Sequence, residues 1–307
     1  MARILYGVGA HAGVVSAIQR ALTAAKFDPK GLDGVYGANT AAAVRAFQEA
    51  RGLAASGTVD DVTWQALMKA PIPGADVRCL ELTAAFEGHG YSLAQGNWDG
   101  AWLTWGIIGF TLKHGEVQKI ILGVEGTSHD LIGKAFGTNA GALIAIMKDS
   151  PRNQERWADS VSVSGGRLAE PWRSGFALLG QFPEVQEAQR RFAHTDYFLP
   201  AVRTAKSLKL KSELGLALCF DIHVQNGSIN ADASDEIDSA LAAKAPASER
   251  GLREIIANAV AENSASRFVQ DVRQRKLTIA RGSGMVHGAQ FVLDNWGLGE
   301  FAAPELQ

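Results

Sequence analysis

The residues best suited to chemistry are two carboxylates, Glu87 and Asp99. Glu87 stands in Leu80-Glu81-Leu82-Thr83-Ala84-Ala85-Phe86-Glu87-Gly88-His89-Gly90, and Asp99 in Gly96-Asn97-Trp98-Asp99-Gly100-Ala101-Trp102-Leu103-Thr104-Trp105. Cleavage of a glycosidic bond needs such a pair. One carboxylic acid protonates the leaving oxygen, and one carboxylate activates water or attacks carbon. A Glu beside Phe86 and two glycines is placed to face a cleft, and burial against apolar neighbours raises a carboxyl pKa toward that of a general acid. Trp98, Trp102 and Trp105 offer faces on which sugar rings stack, although part of such a cluster belongs to a core. The chain holds 32 acidic residues, so spacing alone favours a solvated helix-terminal Glu87 over a catalytic one.

The elements that must position these groups follow from periodicity. Leu80, Ala84 and Glu87 fall at helical spacing, and Gly88 and Gly90 end the helix there. Alternating apolar and small residues over 96–110 predict a short β-hairpin feeding a buried helix. Upstream, Val15, Ile18 and Leu22 form one apolar helix face, with Phe27 ahead of the turn Asp28-Pro29-Lys30-Gly31. Asp33-Gly34 makes a tight turn, and Asn39 or Thr40 can cap a helix over 41–51 that aligns Val44 and Phe47. A second turn and cap over 57–63 leads into Trp64 and Leu67. This predicts three short helices around a compact centre. Pro71 and Pro73 mark 71–76 as a stiff linker, dividing the chain into a module at 1–70 and a larger domain at 77–307.

The module closely resembles the peptidoglycan-binding domain type 1 family. The resemblance rests on Ile18-Gln19, Leu22, Gly31, Asp33-Gly34, Tyr36-Gly37, Thr40, Ala43-Val44, Phe47-Gln48, Gly52-Leu53, Gly57, Thr63-Trp64 and Leu67. It implies a three-helix fold that binds cell-wall peptidoglycan and has no catalysis of its own.

In the larger domain, Asp99-Gly100, Thr104, Gly106-Ile107-Ile108-Gly109-Phe110 and Gly115-Glu116 resemble the active-site strand of the family 46 chitosanases, in the lysozyme superfamily. A second stretch, Val185-Gln186-Glu187-Ala188-Gln189 with Tyr197-Phe198-Leu199-Pro200-Ala201-Val202, is similar to the helical half of that family. The resemblance implies a mainly α, lysozyme-like α+β catalytic domain with a small β-sheet at the cleft. It implies Glu87 as general acid, Asp99 helped by Thr104 in holding the attacking water, and inversion at the anomeric carbon. It also implies Glu116 facing a glucosamine amino group, and Asp221 in a buried charge network with Arg267 as its arginine partner. Trp102 and His89 are further candidates for substrate contact. Two positions depart from the family, which usually has Arg and Tyr where this chain has Ala101 and Leu103. These changes bear on the substrate more than on the reaction.

The remaining features exclude other classes. A net charge of −2 with 20% charged and 47% hydrophobic residues describes a chain that buries a core without binding a polyanion. The histidines at 11, 89, 114, 129, 194, 223 and 287 show no zinc-ligand spacing, so neither metal nor cofactor is expected. Gly282-Ser283-Gly284 is not a dinucleotide-binding frame, and no nucleophile elbow occurs. Cys79 and Cys219 read as buried thiols, with a disulfide between them left open. No apolar run is long enough to cross a membrane, and the N-terminus lacks signal-peptide character. A wall-active enzyme of this kind is expected to reach the periplasm by another route, such as a phage endolysin's or a secretion-system effector's, with unknown lysis or immunity partners. The expected activity is muramidase-like hydrolysis of β-1,4 bonds in peptidoglycan. A chitosanase and a non-catalytic wall-binding protein are the alternatives.

Overall fold

The computed structural model describes residues 3–11, 13–88 and 90–307, and of His129 the backbone alone. It is mainly helical with small antiparallel sheets. The chain forms two compact units, one of Met1–Phe86 with Asp196–Gln307, the other of Glu87–Thr195.

The first unit begins with the expected three helices, Gly13–Ala24, Ala38–Ala50 and Asp61–Met68. Val15, Ile18, Leu22, Val44, Phe47 and Trp64 form their shared core. The second helix starts earlier than expected. Its N-cap is Gly37, which has no side chain to cap with, and Asn39 and Thr40 lie inside the helix. The third helix has a side-chain cap: Asp60 Oδ1 accepts from the Thr63 N–H at 2.7 Å.

Two buried glutamines hold the two turns. Gln19 Oε1 accepts from the Gly34 N–H at 2.9 Å, and its Nε2 donates to Asp33 Oδ1 at 2.8 Å. Gln48 Oε1 accepts from the Gly57 N–H at 2.9 Å, and its Nε2 donates to the Thr58 carbonyl at 2.8 Å. A primary amide supplies both donor and acceptor, which buried turn backbone requires. A strand the periodicity did not predict, Ile4–Tyr6, pairs antiparallel with Val59–Asp60. Tyr6 then donates to Glu81 Oε2, 3.2 Å away on the helix Ala75–Glu87.

The remaining core of this unit is built around Glu213–Asn226, a helix buried for most of its length. It packs with Leu199–Ser207, Glu249–Glu262 and Val269–Arg281. Its first residue, Glu213, is fully buried and accepts from Arg78 Nη2 at 2.7 Å and from Arg3. Burial raises its pKa despite these two arginines. Cys79 and Cys219 are buried free thiols, and burial pushes the Cys219 thiol up to about 12. Val269–Arg281 leads into a hairpin, Ser283–Val286 with Ala289–Val292, joined through His287 and Gly288, both at positive φ.

The second unit holds a three-stranded antiparallel sheet, Ala94–Gln95, Thr104–Trp105 and Phe110–Thr111, in that order. The helix Glu116–Thr127 follows the sheet. The core is aromatic. Trp105 and Phe176 lie 5.5 Å apart, Phe136 and Phe176 5.1 Å, and Phe110 and Phe192 5.4 Å.

Candidate active site

The unit Glu87–Thr195 contains Glu87, Asp99, Trp102, Thr104 and Glu116, whereas Asp221 and Arg267 belong to the other unit. His89 lies outside the described residues.

Glu87 is the half-buried last residue of the helix Ala75–Glu87, and Gly88 at φ +66° ends that helix. Asp99 is exposed in the loop between the first two strands, with Oδ1 accepting from the Ala101 N–H at 3.0 Å. Asn97 shapes this loop. Its Oδ1 accepts from the N–H groups of Gly100 at 3.2 Å and Trp102 at 3.1 Å, while its Nδ2 donates to Asp159 Oδ1 at 2.7 Å. Its own N–H donates to Ser162 Oγ at 2.7 Å. An asparagine carbonyl that accepts from backbone N–H groups further along makes a turn that backbone alone would not hold. This fixes Trp102 at φ +69°, a left-handed conformation unusual for a bulky residue.

The three tryptophans take different places. Trp98 is 67% exposed, Trp102 is half-buried, and Trp105 is core, its Nε1 donating to the Phe176 carbonyl at 3.2 Å. Leu103 is also fully buried.

Thr104 pairs with Gln95 on one side and Thr111 on the other. Thr111 in turn donates from its N–H at 2.6 Å and its hydroxyl at 2.9 Å to Glu116 Oε2. The sheet thus ties Thr104 to Glu116 through one residue. Gln189, fully buried, locks the turn beyond the middle strand: its Oε1 accepts from the Ile107 N–H at 3.0 Å and its Nε2 donates to the Tyr91 carbonyl at 3.2 Å. Gly106 is required there. It sits at φ +90°, and a Cβ on it would lie 2.5 Å from Gln189 Oε1.

In the other unit, Asp221 is fully buried and accepts from Arg275 Nη2 at 2.6 Å, Lys276 Nζ at 2.5 Å and Thr83 Oγ1 at 3.1 Å. Burial by itself would raise its pKa, but Arg275 and Lys276 together overcome this and hold it at about 2. The expected arginine partner is corrected: it is Arg275. Arg267 is exposed, its guanidinium over the Phe268 ring at 4.5 Å.

The network reaches Phe86, the residue before Glu87. Arg275 lies 5.2 Å from the Phe86 ring centre, and Phe291 packs against that ring at 4.7 Å. The His287 ring bridges the Phe86 carbonyl (Nδ1, 3.1 Å) and Asp271 Oδ1 (Nε2, 2.7 Å). These contacts fix the backbone from which Glu87 projects. Asn97, Arg275, Lys276 and His287 were not singled out from sequence, and Gln189 stood there only as a matching position without a role. Asn97, in Asn97-Trp98-Asp99-Gly100, carried a readable turn signal. Among the described residues no group of His, Cys, Asp and Glu could hold a metal ion, and no helix is long and apolar enough to cross a membrane.

Residues 12–67 match the model of the family described as "Putative peptidoglycan binding domain". No curated protein matches the chain. A chitosanase from Bacillus subtilis MY002 is 17% identical, with a TM-score of 0.50, covering 73% of this chain and 99% of the chitosanase. The Gynuella sunshinyii GH46 chitosanase, solved with chitotetraose, is 17% identical with a TM-score of 0.49, covering 73% of this chain and 99% of its own. Thus residues 12–67 match the peptidoglycan-binding domain family, in a chain that shares a mainly helical fold with the Bacillus chitosanase.

Proposed function

We propose that this protein is a glycoside hydrolase that cleaves β-1,4 bonds in the peptidoglycan glycan strand, with 77–307 as its catalytic domain. The observation that carries this reading is the union, in one chain, of a peptidoglycan-binding match at 12–67 with the fold of a chitosanase. The module tethers the enzyme to the wall and raises the local concentration of substrate.

In this reading the Glu87 carboxyl gives its proton to the leaving glycosidic oxygen. Asp99 takes a proton from water, Thr104 helps to orient that water, and the oxygen attacks the anomeric carbon from the opposite face. Inversion follows, and this geometry needs carboxyls about 6.5–9.5 Å apart to admit the water. Asn97 supports the reading by holding the Asp99 loop, and Thr111 by holding Glu116 against the sheet.

Chitosan is the second substrate to test, because the fold-sharing Bacillus protein is a chitosanase. Reducing-end release is measured on purified wall sacculi and on chitosan, with wild type, Glu87→Gln and Asp99→Asn. Release from sacculi that both substitutions abolish is expected. Release from chitosan alone would make the protein a chitosanase with a docking module, and no release from either polymer would make it a binding protein.

A further inference from the structure

Along the chain, residues 69–74 alone join the three-helix module to the helix Ala75–Glu87. Two domains so joined move relative to each other unless an interface holds them. Within the unit of Met1–Phe86 with Asp196–Gln307, the segment 3–11 supplies that interface.

One side of the segment belongs to the module. Ile4 and Tyr6 pair with Asp60 and Val59, the Gly9 N–H donates to the Tyr36 carbonyl at 3.0 Å, and His11 bridges to Val35. The other side meets the short turn Leu293–Trp296. The Gly7 N–H donates to the Asn295 carbonyl at 3.2 Å, and Asn295 Nδ2 donates back to the Val8 carbonyl at 2.8 Å. His11 meets the Trp296 ring edge to face at 5.1 Å. A segment bonded on both sides cannot follow one neighbour without leaving buried backbone groups of the other unpaired.

Side chains close the seam. Leu5, Tyr6 and Leu293 are fully buried, and Trp296 nearly so. The Tyr6 hydroxyl reaches Glu81 on the helix Ala75–Glu87 at 3.2 Å, and Arg3 donates to the buried Glu213 and, at 3.0 Å, to the Gly297 carbonyl. Two glycines let the backbones approach. A Cβ on Gly7 would lie 2.5 Å from Asn295 Oδ1, and one on Gly297, at φ +68°, 3.1 Å from the Leu5 carbonyl oxygen. Buried polar groups need partners held in place, and a swinging module would not hold them.

We propose that the segment 3–11 is a lock that fixes the module to the helix ending at Glu87, so that the module sets the enzyme's orientation on the wall. A swinging module raises local concentration without direction, whereas a fixed one also presents the bound polymer in one orientation to that helix. The lock is a property of folding and is independent of the reaction. Its orienting role rests on the wall-hydrolase reading above.

The test uses the full chain with the site of a sequence-specific protease inserted between Ile72 and Pro73. After cutting, the two pieces are expected to elute together from a sizing column at about 10 μM, which requires a dissociation constant below that value. Gly7→Val in the same chain is expected to weaken their association about tenfold or more through the clash with Asn295. Asn295→Ala, which removes the bond to Val8, is expected to weaken it about fivefold, and serves for both readouts if Gly7→Val does not fold. Wild-type pieces that separate, or variant pieces that associate as tightly as wild type, would overturn the lock. The orienting role is read on uncut chains. Gly7→Val is expected to lower cleavage of sacculi several-fold while sacculus binding and cleavage of short soluble glycan fragments are kept. Unchanged cleavage of sacculi by the folded variant overturns that role alone, and no cleavage by wild type overturns the hydrolase reading alone.

Discussion

The guanidinium of Arg275 lies 5.2 Å from the ring centre of Phe86 while its Nε and Nη2 both donate to Asp221. One side chain therefore joins a fully buried carboxylate to the residue that precedes Glu87. The planar fork does both jobs at once, which an ammonium cannot. Arg275→Lys keeps the charge but loses the two-pronged contact and the stacking. It is expected to lower kcat about tenfold or more with KM nearly unchanged, as steady-state kinetics on sacculi would register. An effect on thermal stability alone, with kcat intact, would make the pair purely structural.

The same pair sets a pH dependence. The folded pKa of Asp221, about 2, lies below its ordinary value of 3.8. Its contribution is therefore fully present above about pH 4 and is lost as pH falls through about 2. The shift corresponds to about 2 kcal/mol. Wild type should lose stability over that window in acid denaturation followed by circular dichroism. Asp221→Asn should lack this component and be less stable at neutral pH by about 3–5 kcal/mol, because Arg275 and Lys276 remain buried without a counter-charge.

Asn97 makes a prediction local to the Asp99 loop. Asn97→Ala leaves the Gly100 and Trp102 N–H groups without their shared acceptor and frees Asp159. A stability loss of about 1–2 kcal/mol is expected, with a larger fall in kcat as Asp99 and Trp102 lose their setting. Paired denaturant unfolding and turnover measurements separate the two effects.

The sequence carried the module and the C-terminal end of the helix bearing Glu87 well, because turn glycines and helix faces leave local marks, whereas the helix starts at Ala75, inside the expected linker 71–76. It carried long-range partners poorly. The family resemblance implied a buried Asp221, which lies within the helix Glu213–Asn226, but a choice among several downstream cations was not readable. The missed signal was periodicity: Val272, Arg275, Lys276 and Ile279 occupy the buried face of Val269–Arg281, so two charges stand where apolar residues belong. The strand Ile4–Tyr6 is three residues long and exists through its partner Val59–Asp60, which no local pattern encodes. Gln19 and Gln48 were legible as matching positions, but their work became visible only with the turns they hold.

That work gives a prediction for the module. Gln48→Leu strands the buried Gly57 N–H and takes from the Thr58 carbonyl one of its two donors, leaving the Ser56 hydroxyl, at a cost of about 1–3 kcal/mol. Sedimentation with sacculi should show weaker wall binding. Cleavage of short soluble glycan fragments, which need no tether, should be preserved.

The central claim is that the bond cut is glycosidic and lies in the wall. Mass spectrometry of the fragments released from purified sacculi tests it most directly. Sugar fragments with new reducing ends, their peptides intact, and their absence with Glu87→Gln, are the predicted result. Released peptides with intact glycan strands, or no soluble product from sacculi, would contradict it.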